Sequence, residues 1–427
     1  MNKIIELNNK FKKKTEHLKN DFQNSITTIN SNIHYHLNSK NGAIKQITHG
    51  YNNKMQELKN QYTIDSYDLR YDAEFNETEI EDILKKLVKE NISHVKKYNI
   101  FHIENGRTIQ IPENSILIEL SNNNIEIIKT NNVEKTDKDK ILGEPSTYEA
   151  RCVPFLNFLK TIDISGISFQ FIFYYDVVEI NNLDKYKDID DIPILCSSAN
   201  DDFKKKYNNI ILIPNIYNYK YKIQNNIIEV KLNDIDYKSK QLGMIFAGYE
   251  TSHVRLSFTI WKNNNKNIHS FLNPFFNKKI RGYENYYTEE RASIQKQLQY
   301  KFQVCIDGFN TECNGLLWKL YSNSLVFKVI EENYEYWYPI FNNFNAYSTN
   351  SNVNTNNILF LCNSFNEMYN TMNTIDENSN EVKEMMINKK KVAKLILNDD
   401  FNKKYIREIF LGLHRLNSKY NEPTLQK

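Results

Sequence analysis

From residue 169 onward the chain repeats one pattern: a short apolar run, a polar or glycine-containing turn, then a more polar stretch. FQFIFYY (169–175), IPILCSS (192–198), NIILIP (209–214), MIFAGYE (244–250), FQVCIDG (302–308) and SLVFKV (324–329) each read as a buried strand, and ILFLC (358–362) as a strand or a helix start. Short runs rich in Ile, Val and Phe, bounded by turn residues, suit strands buried on both faces. Helical patterns accompany them, in VPFLNFLKTI and in the tail 381–420. This alternation predicts an α/β fold of parallel sheets with helices on both faces. Ligands bind such sheets where strand carboxyl ends open into loops. Attention therefore falls on Asp176 and on residues 197–198, 248–255 and 307–314.

The first 62 residues read differently. Ile4, Leu7, Phe11, Leu18, Phe22, Ile26, Ile29 and Ile33 recur at helical steps and form one stripe, with Lys and Asn elsewhere. Ile47, Tyr51, Met55, Leu58 and Tyr62 continue it after an expected break near Gly42. Such a segment is a helical hairpin, a coiled-coil arm for homo-oligomerisation, a partner-docking helix, or an extension packed on the body. A third helix is expected over 78–98, opened by Thr78 and Glu81. The sequon at Asn76 reads as part of a helix cap and not as a glycan site. Short strands are expected at 100–103, 108–111, 115–120 and 125–128. The domain reading is a helical extension (1–98), an N-terminal α/β lobe (99–238), a C-terminal nucleotide-sugar lobe (239–385) and C-terminal helices (386–427).

Bulk properties narrow the class. The 427 residues include 28 Tyr and 24 Phe, too much aromatic area for a disordered chain. Basic and acidic residues nearly balance, 55 against 52, which disfavours a dedicated nucleic-acid binder. The five Cys form no C-x-x-C pair and suit reduced thiols in a cytoplasmic protein. The N-terminus lacks a signal-peptide core, and no run of apolar residues is long enough for a membrane span. No glycine precedes a lysine and no two glycines stand two apart, so Walker A and dinucleotide fingerprints are absent. The tripeptides at Asp188/Asp190 and Asp234/Asp236 have the form of divalent-ion ligands, a form that chance also supplies in an Asp-rich chain; Asp137/Asp139 is a charged run. No metal is expected.

Three ordered segments resemble glycosyltransferase family 90, the capsule-associated and protein O-glucosyltransferase family. They are IFAGYETSHVR (245–255); YKFQVCIDG (300–308) with LYSNSLVFK (320–328); and YWYPIF (336–341) with FNAY (344–347). Upstream, FYYD (173–176) takes the place of the strand that ends in the family's candidate catalytic Asp. The resemblance covers about 150–420. It implies a GT-B-like fold of two Rossmann-type lobes and metal-independent inverting transfer from a nucleoside diphosphate sugar, UDP-linked, to a glycan or protein hydroxyl.

Each matched position has a chemistry compatible with that activity. Gly248 lets backbone approach a diphosphate, Thr251 and Ser252 offer hydroxyls, and Arg255 presents a planar fork to phosphate oxygens. Lys301 adds positive charge or is simply exposed. Asp307 and Gly308 form a turn that meets ribose or base, or are a turn alone. Asp176 deprotonates the acceptor or makes a local loop bond. The sequence also departs from the family: Ala247 and Glu250 stand at Arg positions, residues near 314–315 lack an expected Arg, and Ala346 and Thr349 replace His and Pro. These losses carry the alternative reading, a catalytically inactive scaffold on the same fold.

Overall fold

A computed structural model describes residues 2–31, 37–70, 73–95, 110–121, 124–131, 148–175, 186, 189, 192–200, 206–216, 223–265, 267–274, 278–308, 315–329, 333–340 and 358–421. The expected strand at 100–103, nearly all of 108–111, and Asp137, Asp139, Asp176, Asp188, Asp190, Ala346 and Thr349 lie outside them. The chain divides into two compact units.

The first unit comprises residues 1–73 and 227–234. Helices α1 (Asn2–Ser31) and α2 (Leu37–Arg70) pair along the apolar stripe, with Phe11 against Tyr62 and Phe22 against Tyr51, each at 4.4 Å between ring centroids. The expected break at Gly42 is absent, because α2 runs through both Gly42 and Gly50. Glycine costs a helix interior only about 1 kcal/mol, which pairing along a long seam offsets. Residues 227–234 join at the far end: Tyr67 donates to Asp234 at 3.0 Å, and Lys231 meets Asp68 at 2.6 Å.

The second unit, residues 74–226 and 235–427, holds two five-stranded sheets. It opens with α3 (Glu77–Ile92), capped by Asn76 and Glu79 in a reciprocal box. The cap thus falls two residues before the Thr78/Glu81 pair, because Asn76 holds the extended backbone that an N-cap requires. Strands β1 (Ser115–Ser121), β2 (Asn124–Asn131), β3 (Ser168–Tyr174), β4 (Ile194–Cys196) and β6 (Ile210–Leu212) form the first sheet in the order β2-β1-β3-β4-β6. β1 runs antiparallel to β2 and β3, whereas β3, β4 and β6 are parallel, so this sheet is mixed. Helix α4 (Val153–Leu159) stacks Phe155 on Phe173 of β3. Strand β5 (Ser198–Asn200) leaves the sheet, and the helix α5 (Gln224–Asn233), most of which belongs to the first unit, precedes the second sheet in the sequence.

The second sheet comprises β7 (Gln241–Tyr249), β8 (Ile268–Asn273), β9 (Tyr300–Cys305), β10 (Leu325–Val329) and β12 (Phe360–Cys362), all parallel. Its order, β8-β7-β9-β10-β12, is the 2-1-3-4-5 order of doubly wound sheets. Helix α6 (His253–Lys262) links β7 to β8, a single turn α7 (Ile294–Gln297) precedes β9, and α8 (Gly315–Tyr321) links β9 to β10. Apolar side chains such as Phe246, Phe258, Phe302 and Phe327 are fully buried between the sheet and its helices. Strand β11 (Asn333–Glu335) pairs antiparallel with β5 and so ties the two halves of this unit. Helices α9 (Phe365–Thr374), α10 (Asn380–Ile396) and α11 (Asp399–Asn421) complete the chain. α11 returns to the first sheet, where Phe410 packs on Phe169 and Phe171 and Tyr405 donates to the Leu212 carbonyl. Among the described residues no helix is long and apolar enough to cross a membrane.

Candidate functional site

In a 2-1-3-4-5 sheet the crossovers leave in opposite directions from the first and third strands, and a crevice opens at their carboxyl ends. Here those strands are β7 and β9, and six of the expected residues converge there: Gly248, Thr251, Ser252, Arg255, Asp307 and Gly308.

Arg255, in the first turn of α6, is 9% exposed and holds the crevice together. Its Nε donates to the carbonyls of Ile306 and Asp307, both at 3.1 Å. Nη1 donates to the Tyr249 carbonyl and the Thr251 hydroxyl, both at 2.9 Å, and Nη2 to Ile306 at 2.7 Å. The guanidinium fork is thus turned to backbone, stitching the end of β7 to the end of β9. The two glycines make this possible. A Cβ on Gly248 would stand 3.3 Å from Nη1, and one on Gly308 would stand 3.2 Å from Nη2 and overlap the Thr251 hydroxyl.

Ser252 occupies the N-cap position of α6, yet its hydroxyl makes no bond to its own helix. It donates instead to the Asp307 carbonyl at 2.8 Å. The first-turn N–H groups of α6 are therefore left uncapped by that side chain, an arrangement that favours an anion. Asp307 turns its carboxylate inward, 2.7 Å from Lys328 Nζ of β10, and both side chains are essentially inaccessible (0% and 1%). At the rim, burial pushes the Glu250 carboxyl above its ordinary value, and Arg291 lies over the half-exposed Tyr249 ring at 5.2 Å.

Lys301 is not part of this cluster. It is the second residue of β9, at the amino end, so six residue steps of roughly 3.3 Å separate it from Asp307. Its ammonium pairs with Glu377 at 2.6 Å and lies over the Tyr237 ring. The segment at 336–338 is core: Tyr336, Trp337 and Tyr338 are buried, with Tyr336 donating to Asn402 and Trp337 to Glu335.

No protein-family model and no curated protein matches this chain. The likeness to family 90 therefore rests on the quoted motifs. Asp176 lies outside the described residues; a small cavity opens at the carboxyl ends of β3, β4 and β6. Arg151, Tyr175, Ser197 and Asn215 line a cavity of about 20 Å³ there, and Arg151 Nη1 reaches the Tyr175 carbonyl at 3.5 Å. Nothing in the pattern around Arg151 marked it, because a lone Arg ahead of an apolar helix carries no spacing signal. Lys328 stood in a matched motif, and its burial against Asp307 is new. Of the expected D-x-D pairs, Asp234 accepts from Tyr67. Among the described residues no three His, Cys, Asp or Glu side chains are grouped as a metal ion would need.

Proposed function

We propose that the chain is an inverting glycosyltransferase that moves a sugar from a nucleoside diphosphate, UDP-linked, to a hydroxyl of a cytoplasmic glycan or protein. The observation that carries this reading is the convergence of Thr251, Ser252, Asp307 and Gly308 at the switch point of a parallel sheet, beside the uncapped amino end of α6. In this reading the two sheets are the lobes of a GT-B-like fold. The diphosphate meets the first-turn N–H groups of α6, where the helix dipole favours the negative charge that develops on the leaving group. In this reading Asp176, two residues after β3 in the sequence, takes the proton of the acceptor hydroxyl as the acceptor oxygen bonds to the anomeric carbon and the diphosphate departs. Arg255 acts here by shaping the crevice, since its donors are engaged with Tyr249, Thr251, Ile306 and Asp307.

A second reading, a catalytically inactive scaffold, draws on the same geometry. The Thr251 hydroxyl, the Ser252 hydroxyl and the Arg255 fork are all bonded to protein, and Ala247 and Glu250 supply no cation beside them. Calorimetric titration with UDP, followed by a screen of UDP- and GDP-sugars for nucleotide release with mixed acceptors, separates the two. The transferase reading expects saturable UDP binding, turnover, and an Asp176→Asn variant that binds but does not transfer. Absence of binding heat and of release would leave the scaffold reading standing.

A further inference from the structure

We infer that the helical hairpin is a self-association surface, through which two copies of this chain form an antiparallel four-helix bundle. Two paired helices bury each seam residue from one side only. Along α1 the seam residues Ile4, Leu7, Phe11, Leu18, Phe22 and Ile26 are only partly buried, and among its described side chains only Ile29 is buried. Met55, Leu58 and Tyr62 of α2 are in the same condition. A stripe of this length at helical spacing is ordinarily closed by a second layer of helices.

The groove on this face shows what kind of layer fits. It has a volume of about 440 Å³, with Leu18 and Leu58 as its floor and Lys14, Asp21, Lys54 and Glu57 on its rim. The rim carries two charges of each sign, so a second copy meets no net repulsion. Lys14 and Asp21 lie on one stripe of α1, two turns and roughly 10 Å apart, with Leu18 between them. A two-fold axis across the groove near Leu18 lays α1 against its antiparallel counterpart. It sets Lys14 opposite the partner's Asp21 and brings Lys54 within about one turn of the partner's Glu57. Asp21 is largely exposed, and its contact within its own helix, 3.5 Å from His17, is one that an exposed side chain exchanges at little cost.

Sedimentation of the full chain over a wide concentration range tests the inference. The wild type is expected to reach twice the 50.8 kDa chain mass. Lys14→Glu and Asp21→Lys should each weaken the dimer about tenfold, since each turns both symmetry-related ion pairs into like-charge pairs. The double variant Lys14→Glu/Asp21→Lys should recover the dimer, because the exchanged charges again oppose. Leu18→Glu/Leu58→Glu should give monomer, with far-ultraviolet circular dichroism reporting that the helices persist. A wild-type chain that stays monomeric would assign the groove to a different partner and overturn the proposal. So would a double swap that remains as weak as its single parents while keeping its helix content.

Discussion

Gly308 sits directly against Arg255: a single methyl group on Gly308 would approach Nη2 to 3.2 Å and collide with the Thr251 hydroxyl that Nη1 holds. The glycine is required by space and not by backbone angle, since the neighbouring atoms are fixed. Thr251 cannot swing away without breaking its bond to the guanidinium.

Gly308→Ala is therefore expected to destabilise the fold by about 1–3 kcal/mol, the usual cost of forcing atoms into a packed site. The change should appear as a lower urea midpoint with an unchanged slope. An alanine variant as stable as wild type would show that the crevice relaxes freely.

The buried pair of Asp307 and Lys328 makes a second prediction. Lys328→Met takes away the 2.7 Å partner of an inaccessible carboxylate and should cost about 3–5 kcal/mol. Adding Asp307→Leu should recover most of that loss, because removing both charges also removes the desolvation cost. A double-mutant cycle by denaturant unfolding measures the difference.

Glu250 gives a pH dependence. Burial holds its carboxyl above the ordinary value, so the folded state binds its proton more tightly than the unfolded state does. The stability from this group is complete below the ordinary glutamate range and is lost as pH rises through the raised folded value. Glu250→Gln should accordingly raise the unfolding midpoint at about pH 7 and change it little at about pH 4. Thermal melts at the two pH values check the sign; a variant less stable than wild type at neutral pH would contradict it.

Much of the fold was legible because burial is written in side-chain pattern. β3, β7, β9 and β10 all fall on the apolar runs, and α1 and α2 on the helical stripe. β8 escaped notice because His269 and Ser270 interrupt its run. The burial of Ser270 is made tolerable by a hydroxyl contact to Thr259 at 2.7 Å, which a linear sequence cannot display. β5 and β11 are three residues each and exist through pairing with one another. The first sheet's antiparallel edge was equally hidden, since strand direction depends on connections and not on composition.

The site divides in the same way. Loop positions at strand ends were identifiable, and six of them meet. What a long side chain does there was not: Arg255 could as well have faced solvent as its own backbone. Buried lysines repeat the lesson. Lys389 of α10 is inaccessible and donates to the carbonyls of Leu320 at 3.1 Å and Ser324 at 2.7 Å, as well as to Ser322, satisfying the last turn of α8 and the chain just after it. Lys301 is the opposite case, for the length of its strand already placed it at the far edge from Asp307.

The return of α11 to the first sheet governs the order in which this protein can be completed on a ribosome. Ser168 of β3 and His414 of α11 are bonded neighbours 246 residues apart. At typical elongation speeds of about 5–20 residues per second, β3 waits roughly 10–50 s for the helix that covers Phe169 and Phe171. Through that interval its aromatic face stays open to chaperones and to other nascent chains. Synthesis halted before residue 399 would leave it open permanently.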